Sequence, residues 1–130
     1  MIIDTSAIVA ILNSEPDAPS FAKAIQSAAE RRISAATYVE LAAVVERTRD
    51  PVTSRLLDDL LARMSIEIMP VTADQALIAR RAYWDYGKGS GHPAGLNFGD
   101  CFSYALAREH REPLLFKGND FVHTDVMAAL

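Results

Sequence analysis

Apolar positions along the chain alternate between short continuous runs and stretches with helical spacing. The first run, MII, predicts a buried strand, and residues 8–12 carry the apolar face of a helix. Asp4 lies at the junction, where a carboxylate is favoured as a helix cap. The same position follows the carboxyl end of a strand, where ligands bind in open α/β sheets. The fragment alone leaves both interpretations of Asp4 open.

The same pattern predicts the elements of the middle of the chain. Residues 15–32 have helical spacing, and RISAATY predicts a short strand that runs into a helix continuing through VELAAVVERTR. Asp50 followed by Pro51 is typical of a helix start. The stretch IEIMPV alternates as a strand does. Thr72 and Gln75 have the spacing of a capping box, which opens a helix predicted to end near Tyr86.

Glycine marks a change of structure in the last third of the chain. The segment GKGSGHPAG predicts a loop, and it lacks the spacing of a phosphate-binding P-loop. Asn97 is placed to cap a helix containing GDCFSYALAREH. After it, PLLF predicts a buried strand and KGND predicts a turn. The tail predicts a short last helix. Strands that alternate with helices predict an α/β fold, in which a mostly parallel sheet is covered by helices on both faces.

Composition narrows the class of protein. The 130 residues fit one domain, residues 1–130, and half of them are hydrophobic, which provides a full core. A single cysteine, Cys101, excludes an internal disulfide framework and fits a reducing cytoplasm. The sequence has no run of 18 apolar residues, so we expect no membrane span. It has no basic leader before the first apolar run, so we expect no signal peptide. The net charge of −4 argues against a protein that coats nucleic acid, although it permits a nucleic-acid enzyme whose carboxylates bind divalent cations.

Four acidic residues lie in apolar surroundings where an unpaired carboxylate is costly: Asp4, Glu40, Asp100 and Asp120. Each has an ordinary alternative, as a turn cap, a partner of a helix dipole or a member of a solvated face. However, Asp4 and Asp120 follow apolar strands, Asp100 opens a helix, and Glu40 lies near the start of one. We therefore expect all four to converge at the carboxyl edge of the sheet.

A cluster of carboxylates at that edge predicts a cation site. Like charges packed together raise one another's pKa, and a divalent cation relieves the repulsion. Carboxylate oxygens suit Mg²⁺ or Mn²⁺, whereas the three histidines lack the spacing of a zinc site. Such a cation can activate water and stabilise the oxygens of an in-line displacement, which predicts phosphodiester hydrolysis.

Four segments carry a resemblance to a known family: MIIDTSAIVAIL, SAATYVELAAVV, GLNFGDCFSYALA and PLLFKGNDFVHTDV. In this order they resemble the PIN-domain ribonucleases and, within them, the VapC-type toxins of bacterial and archaeal toxin–antitoxin pairs. The resemblance implies a PIN-like α/β domain and a cytoplasmic, Mg²⁺-dependent endoribonuclease, with Mn²⁺ as a substitute. It also implies a VapB-type antitoxin partner and a homodimer.

The resemblance assigns roles to the four acids. Asp4, Glu40 and Asp100 match the three firm acidic positions of the family, and Asp4 and Asp100 are expected to bind the metal directly. Asp120 is assigned to the fourth acidic position of the family. Glu40 and Asp120 would act through water or at a second metal. Two departures leave the second metal open: the sequence has Gly118 where many relatives have an acid, and Asn119 where close relatives have Asp. The resemblance also implies that the hydroxyl of residue 6 lies near the site.

Two other functions compete with this hypothesis. A signalling receiver domain is also a small α/β chain with acids and a lysine, such as Lys117, at one edge of its sheet. However, receivers need paired acids after the first strand, where Asp4 stands alone. A catalytically silent PIN module that only binds a partner is the third possibility, and the presence of the three firm acids argues against it. Ser6 excludes a phosphatase of the Asp-x-Asp-Thr type.

Two groups of surface residues have open interpretations. Basic side chains could contact RNA phosphates or be ordinary solvated charges; these are Arg80, Arg81, Lys88, His92 and Lys117. An apolar stripe on the helix after Pro51 could be core or partner surface, because it is wider than one buried face requires. That stripe comprises Leu56, Leu57, Leu60, Leu61 and Met64.

Overall fold

The computed structural model describes residues 1–47 and 49–130, and within them the chain forms four strands and six helices. The strands are β1 (Ile2–Ile3), β2 (Arg32–Ser34), β3 (Glu67–Met69) and β4 (Leu114–Leu115). The helices are α1 (Thr5–Leu12), α2 (Ala18–Ser27), α3 (Ala35–Glu46), α4 (Pro51–Arg63), α5 (Ala73–Tyr86) and α6 (Asp100–His110). None of these helices is long and apolar enough to cross a membrane.

The four strands form one parallel sheet in the order β3-β2-β1-β4. Ile2 is in register with Arg32 on one side and with Leu114 on the other. Because all strands run the same way, their carboxyl ends share one edge, and Asp4 follows β1 at that edge. The predicted α/β fold with a parallel sheet is therefore confirmed.

Helices cover both faces of the sheet, as the sequence predicts. Ile3 and Ile33 face a core built with α1, α2, α3 and α4, whereas Ile2 and Leu114 face a core built with α5 and α6. Neighbouring residues of a strand point to opposite faces. β1 and β4 are consequently apolar throughout, and no position in β1 is left for a polar residue before Asp4.

The helix predicted over residues 15–32 is shorter in the structure. It begins at Ala18 and ends at Ser27, because Ala28 adopts an extended conformation. Arg31 then folds back, and its guanidinium donates hydrogen bonds to the carbonyls of Gln26 (2.9 Å) and Ala28 (3.1 Å). Arg32, which the helical pattern also included, starts β2 instead.

The predicted start of α4 is confirmed, and the apolar stripe on this helix is partly buried and partly exposed. Asp50 accepts hydrogen bonds from the backbone of Val52 and Thr53, both at 3.1 Å, as a helix cap does. The end of α3 predicted near residue 49 falls at Glu46, and residue 48 lies outside the described residues. Within the stripe, Leu57 and Leu61 are buried, Leu60 and Met64 are half-buried against the core, and Leu56 is exposed. Most of the stripe is therefore core.

The start of α5 shows half of the predicted capping box. The Thr72 hydroxyl accepts from the backbone of Gln75 at 3.1 Å, but the Gln75 amide donates to Glu109 on α6 at 2.6 Å. The two ends of the glycine-rich loop after α5 are joined by a hydrogen bond, in which the backbone N–H of Lys88 donates to the carbonyl of Leu96 at 2.8 Å. The closed loop leads into the start of α6.

The prediction of a short helix in the tail is wrong. Residues 120–126 form successive turns and bends, and the chain then pairs with β4 through a parallel bridge between Leu114 and Ala128. Leu114 donates to the carbonyl of Met127 at 2.8 Å, and Ala129 donates to that of Leu114 at 2.9 Å. Hydrogen bonding with the open edge of β4 replaces a local helix.

Candidate functional site

Asp4 is both a helix cap and a buried acid at the carboxyl edge of the sheet. Its side chain is 4% exposed. One oxygen, Oδ2, accepts from the backbone of Ser6 at 2.9 Å and from its hydroxyl at 2.6 Å. The other oxygen, Oδ1, accepts from the hydroxyl of Ser103 at 2.7 Å. The cap and site interpretations of Asp4 are thus compatible, and the hydroxyl groups of Ser6 and Thr5 donate to Asp4 and Glu40.

Asp100 occupies the first turn of α6, where a reciprocal pair of hydrogen bonds holds it. Its backbone donates to the Asn97 side chain at 2.9 Å, and its Oδ2 accepts from the Asn97 backbone at 2.7 Å. This confirms that Asn97 helps to start the helix, although the residue next to α6 is Gly99. The arrangement fixes a carboxylate that is 9% exposed.

The electrostatics of Asp100 show that the four acids lie close together. Burial, together with the charges of Asp4, Asp120 and Glu40, raises the pKa of Asp100 from its ordinary value of 3.8 to about 7, against the backbone hydrogen bond from Asn97, which lowers it. Three elements and one turn therefore bring their carboxylates to one region, as the sequence predicts. A single added proton or a cation would relieve the repulsion.

Glu40 reaches the site across the start of α6. Its Oε2 accepts a hydrogen bond from the Thr5 hydroxyl at 2.9 Å. Its carboxylate also lies against Gly99, where an added Cβ would sit 2.1 Å from Oε1. Gly99 has ordinary helical dihedral angles, so close approach and not backbone conformation explains the glycine. Sequence reasoning missed Gly99 and Thr5, although Gly99 directly precedes Asp100.

Asp120 contributes from the turn after β4 and is exposed. The nearest basic residue in sequence, Lys117, points elsewhere: its ammonium group pairs with Glu15 and, at 2.9 Å, with Asp17. Among residues 1–47 and 49–130, no lysine, arginine or histidine forms an ion pair with any of the four acids. The negative charge of the site has no cationic partner in the described part of the chain.

Buried hydroxyl groups surround Asp4 and were also missed by sequence reasoning. Thr37 and Ser103 are fully buried, and their hydroxyl oxygens lie 3.1 Å apart. Ser34, the last residue of β2, has a buried hydroxyl that makes no hydrogen bond with the described residues. A signal was available: Thr37 precedes Glu40 by one helical turn, and Ser103 follows Asp100 by the same interval.

The donor set of the site fits a hard divalent cation. The groups that it could offer as ligands are carboxylate oxygens, which Mg²⁺ and Mn²⁺ prefer, and neither thiolate nor imidazole is among the four acids. Within the described residues, no group of three or more His, Cys, Asp or Glu side chains is arranged so that it could hold a metal ion. Mg²⁺ usually keeps several waters and uses only one or two carboxylates, so an open site of this kind suits it.

The proposed phosphate-binding side chains are spread around the molecule. Arg81 pairs with Asp85 at 2.8 Å on the same helix, and Lys117 is paired as described above. The His92 ring packs edge-on against Tyr86, with centroids 4.9 Å apart. Arg80 and Lys88 are exposed. The structure does not gather these residues into one basic surface, so their contact with RNA stays a prediction.

Comparison with known proteins identifies relatives along the whole chain. The PIN domain family matches residues 1–127. The chain is 59% identical over 130 residues to "Ribonuclease VapC28" of Mycobacterium tuberculosis, which covers 100% of this chain and 98% of the relative. It is 53% identical over 129 residues to "Ribonuclease VapC42" of the same species, with coverage of 99% and 98%.

Solved structures share the fold at low sequence identity. Mycobacterium tuberculosis VapC20, described as a sarcin-ricin loop cleaving toxin, superposes with a TM-score of 0.74 at 17% identity, covering 97% of this chain and 95% of that one. Rickettsia felis VapBC2, bound to a promoter DNA fragment, gives 0.76 at 17% identity, with coverage of 98% and 94%. The chain therefore belongs to the PIN-domain family and falls among its VapC-type members.

Proposed function

We propose that the chain is a Mg²⁺-dependent endoribonuclease, the toxin of a type II toxin–antitoxin pair, with residues 1–130 acting as one PIN domain in the cytoplasm. The observation that carries the proposal is the buried Asp100 carboxyl, whose pKa is raised to about 7 beside three further acids. Such a cluster is stable at neutral pH once a cation joins it. The names of the relatives, which are ribonucleases, support RNA as the substrate.

Each acid has a role that follows from its surroundings. Asp4 and Asp100 would hold Mg²⁺ or Mn²⁺, because both are buried and held in place by hydrogen bonds. Glu40, oriented by Thr5, and the exposed Asp120 complete the site directly or through water, or at a second metal. The cation would supply Lewis-acid stabilisation of the reacting oxygens and activation of water.

The test compares two identical substitutions at different places. Asp4→Asn should lower cleavage of RNA by more than about 100-fold, since even loss of a residue behind a ligand costs 10–100-fold. Asp58→Asn, at an exposed position of α4, should leave cleavage unchanged. Cleavage is followed on gels of labelled RNA with Mg²⁺, with excess EDTA, and after Mg²⁺ is restored. Full activity in EDTA or in Asp4→Asn contradicts the proposal. A wild-type chain that binds RNA without cutting it would favour the silent binding module.

The partner we propose is a VapB-type antitoxin. Solved structures of similar fold include a toxin–antitoxin complex from Klebsiella pneumoniae, with a TM-score of 0.74 at 18% identity over 99% of this chain and 97% of that one. The uncompensated acids offer a place for a basic side chain, and an arginine can pair with a carboxylate through two parallel hydrogen bonds. Inhibition by the antitoxin should therefore weaken as Mg²⁺ is raised. Inhibition that is indifferent to both Mg²⁺ and Asp4→Asn would instead indicate steric blocking.

We also propose that the toxin is a homodimer. Large apolar side chains are left exposed on α3, on α5 and before α6; these are Val39, Trp84 and Phe98. Exposed apolar surface of this kind commonly marks an interface between protein chains. Sedimentation equilibrium of the isolated toxin measures the association directly, and a monomer at micromolar concentration would contradict it.

A further inference from the structure

The hydrogen bonds of Asp4 leave it one free acceptor position. An ionised carboxylate has about four lone-pair positions on its two oxygens. In this structure the backbone and hydroxyl of Ser6 occupy Oδ2, and the hydroxyl of Ser103 occupies Oδ1. Three donors therefore leave about one position for an external ligand. Asp4 is arranged to bind a cation through one oxygen, and the orientation of its carboxylate decides where that cation can sit.

A second hydroxyl lies behind the one that holds Oδ1. Ser103 has a single hydroxyl proton, which it donates to Asp4 at 2.7 Å, so it must accept in its 3.1 Å contact with Thr37. Both side chains are fully buried. The resulting chain runs from the Thr37 hydroxyl to the Ser103 hydroxyl and then to Asp4 Oδ1, and it fixes the direction in which the Ser103 proton points.

The turn of α3 that contains Thr37 also lies close to a residue that supports Glu40. The Thr5 hydroxyl, which donates to Glu40 at 2.9 Å, lies 3.5 Å from the carbonyl oxygen of Thr37. Thr37 is therefore next to the supports of both Asp4 and Glu40. Because the terminal torsion of an aspartate side chain is broad, a hydrogen bond on each oxygen is what holds its plane.

We propose that the buried hydroxyl pair of Thr37 and Ser103 positions Asp4 for the divalent cation, which makes both of them positioning residues. This inference rests on the proposed function, because it concerns the cation that the acids would bind. Residues behind the ligands of metal sites typically change metal affinity by 10–100-fold when they are lost. Without the Ser103 proton, Oδ1 would be free to rotate while Oδ2 stayed bound to Ser6.

A pair of substitutions at Thr37 separates the hydroxyl from the packing. Thr37→Val keeps the shape and removes the hydroxyl, whereas Thr37→Ser keeps the hydroxyl and removes a methyl group. Binding of Mn²⁺ and Mg²⁺ to the whole chain is measured by titration calorimetry, together with urea unfolding. We expect Thr37→Val and Ser103→Ala to weaken cation binding by about 10-fold, and Thr37→Ser to stay within about 2-fold of the wild type.

The outcomes distinguish the inference from the function on which it rests. If the wild-type chain binds neither cation, the proposed function is wrong. If it binds both cations and Thr37→Val and Ser103→Ala bind them equally well, the positioning role alone is wrong. Weaker binding by Thr37→Ser than by Thr37→Val would indicate packing and also overturn it. Should Ser103→Ala fail to fold, the two variants at Thr37 still decide the matter.

Discussion

The two edges of the sheet both carry partly buried acids, and they differ in what balances the charge. At the amino edge, Glu112 accepts hydrogen bonds from the amino group of Met1 and from Arg32. Arg32 also pairs with Glu30 at 2.7 Å and lies 3.8 Å from Glu67. At the carboxyl edge, no cation among the described residues pairs with the four acids, which are Asp4, Glu40, Asp100 and Asp120.

The pKa shifts of one acid at each edge have opposite signs. Burial alone would raise the pKa of Glu112, but the amino terminus and Arg32 hold it below its ordinary value. Burial raises the pKa of Asp100, and the neighbouring acids add to the effect. An acid cluster that contains its own cations stabilises the fold, whereas one without them has an unfavourable charge until a ligand arrives. The difference supports our proposal that the carboxyl edge is the functional one.

The largest effect should come from Asp100→Asn in metal-free protein. Because the pKa of Asp100 is higher in the folded state than in the unfolded chain, the folded state binds more protons between pH 4 and 7. The free energy of unfolding should therefore fall as pH rises through that window, by at most ~4 kcal/mol for a shift from 3.8 to about 7.

Urea unfolding in EDTA between pH 4 and 8 measures this slope. Asp100→Asn should flatten it and be more stable than the wild type at pH 8. Mg²⁺ should flatten the pH dependence of stability in the wild type, but it should not change that dependence in Asp100→Asn. A slope that is the same in the wild type and in Asp100→Asn would show that the carboxyl edge is compensated after all.

A smaller effect of opposite sign is expected from Glu112→Gln. Since the pKa of Glu112 is lowered in the folded state, its contribution is present above the pKa of the unfolded chain and is lost as the solution becomes more acidic. Glu112→Gln should lower the free energy of unfolding by about 2 kcal/mol at pH 7, because it weakens a partly buried ion pair. The difference from the wild type should shrink below about pH 4. RNA cleavage per folded molecule should not change, and a loss of cleavage would contradict the separation of the two edges.

The smallest effect on stability is expected from Gly99→Ala. Alanine suits the helical conformation of residue 99, so the free energy of unfolding should change by no more than about 1 kcal/mol. The new Cβ would displace the Glu40 carboxylate, and cleavage should fall several-fold. In the background of Glu40→Gln, Gly99→Ala should cause little further loss if it acts through Glu40. An equal loss in both backgrounds would show that Gly99 matters for another reason.

The sequence by itself determined the order and type of most elements and the positions of the acids. Short apolar runs at MII and PLLF predict buried strands, and a chain that alternates strand and helix favours a parallel sheet, whose strands have their carboxyl ends at one edge. The local pattern of residues is thus enough to locate Asp4 at that edge. The start of α4 was equally predictable, because the Asp50 cap uses only neighbouring backbone groups.

Tertiary structure decided the features that depend on contacts distant in sequence. The tail pairs with β4 instead of forming a helix, and the side chain of Arg32 bonds to Glu112, which is 80 residues away. The close approach of Glu40 to Gly99 and the bond from Ser103 to Asp4 are of the same kind. Local patterning reports which face of an element is buried, but not which side chain lies opposite. The partners of a carboxylate, and hence its charge state, are fixed only when the helices pack against the sheet.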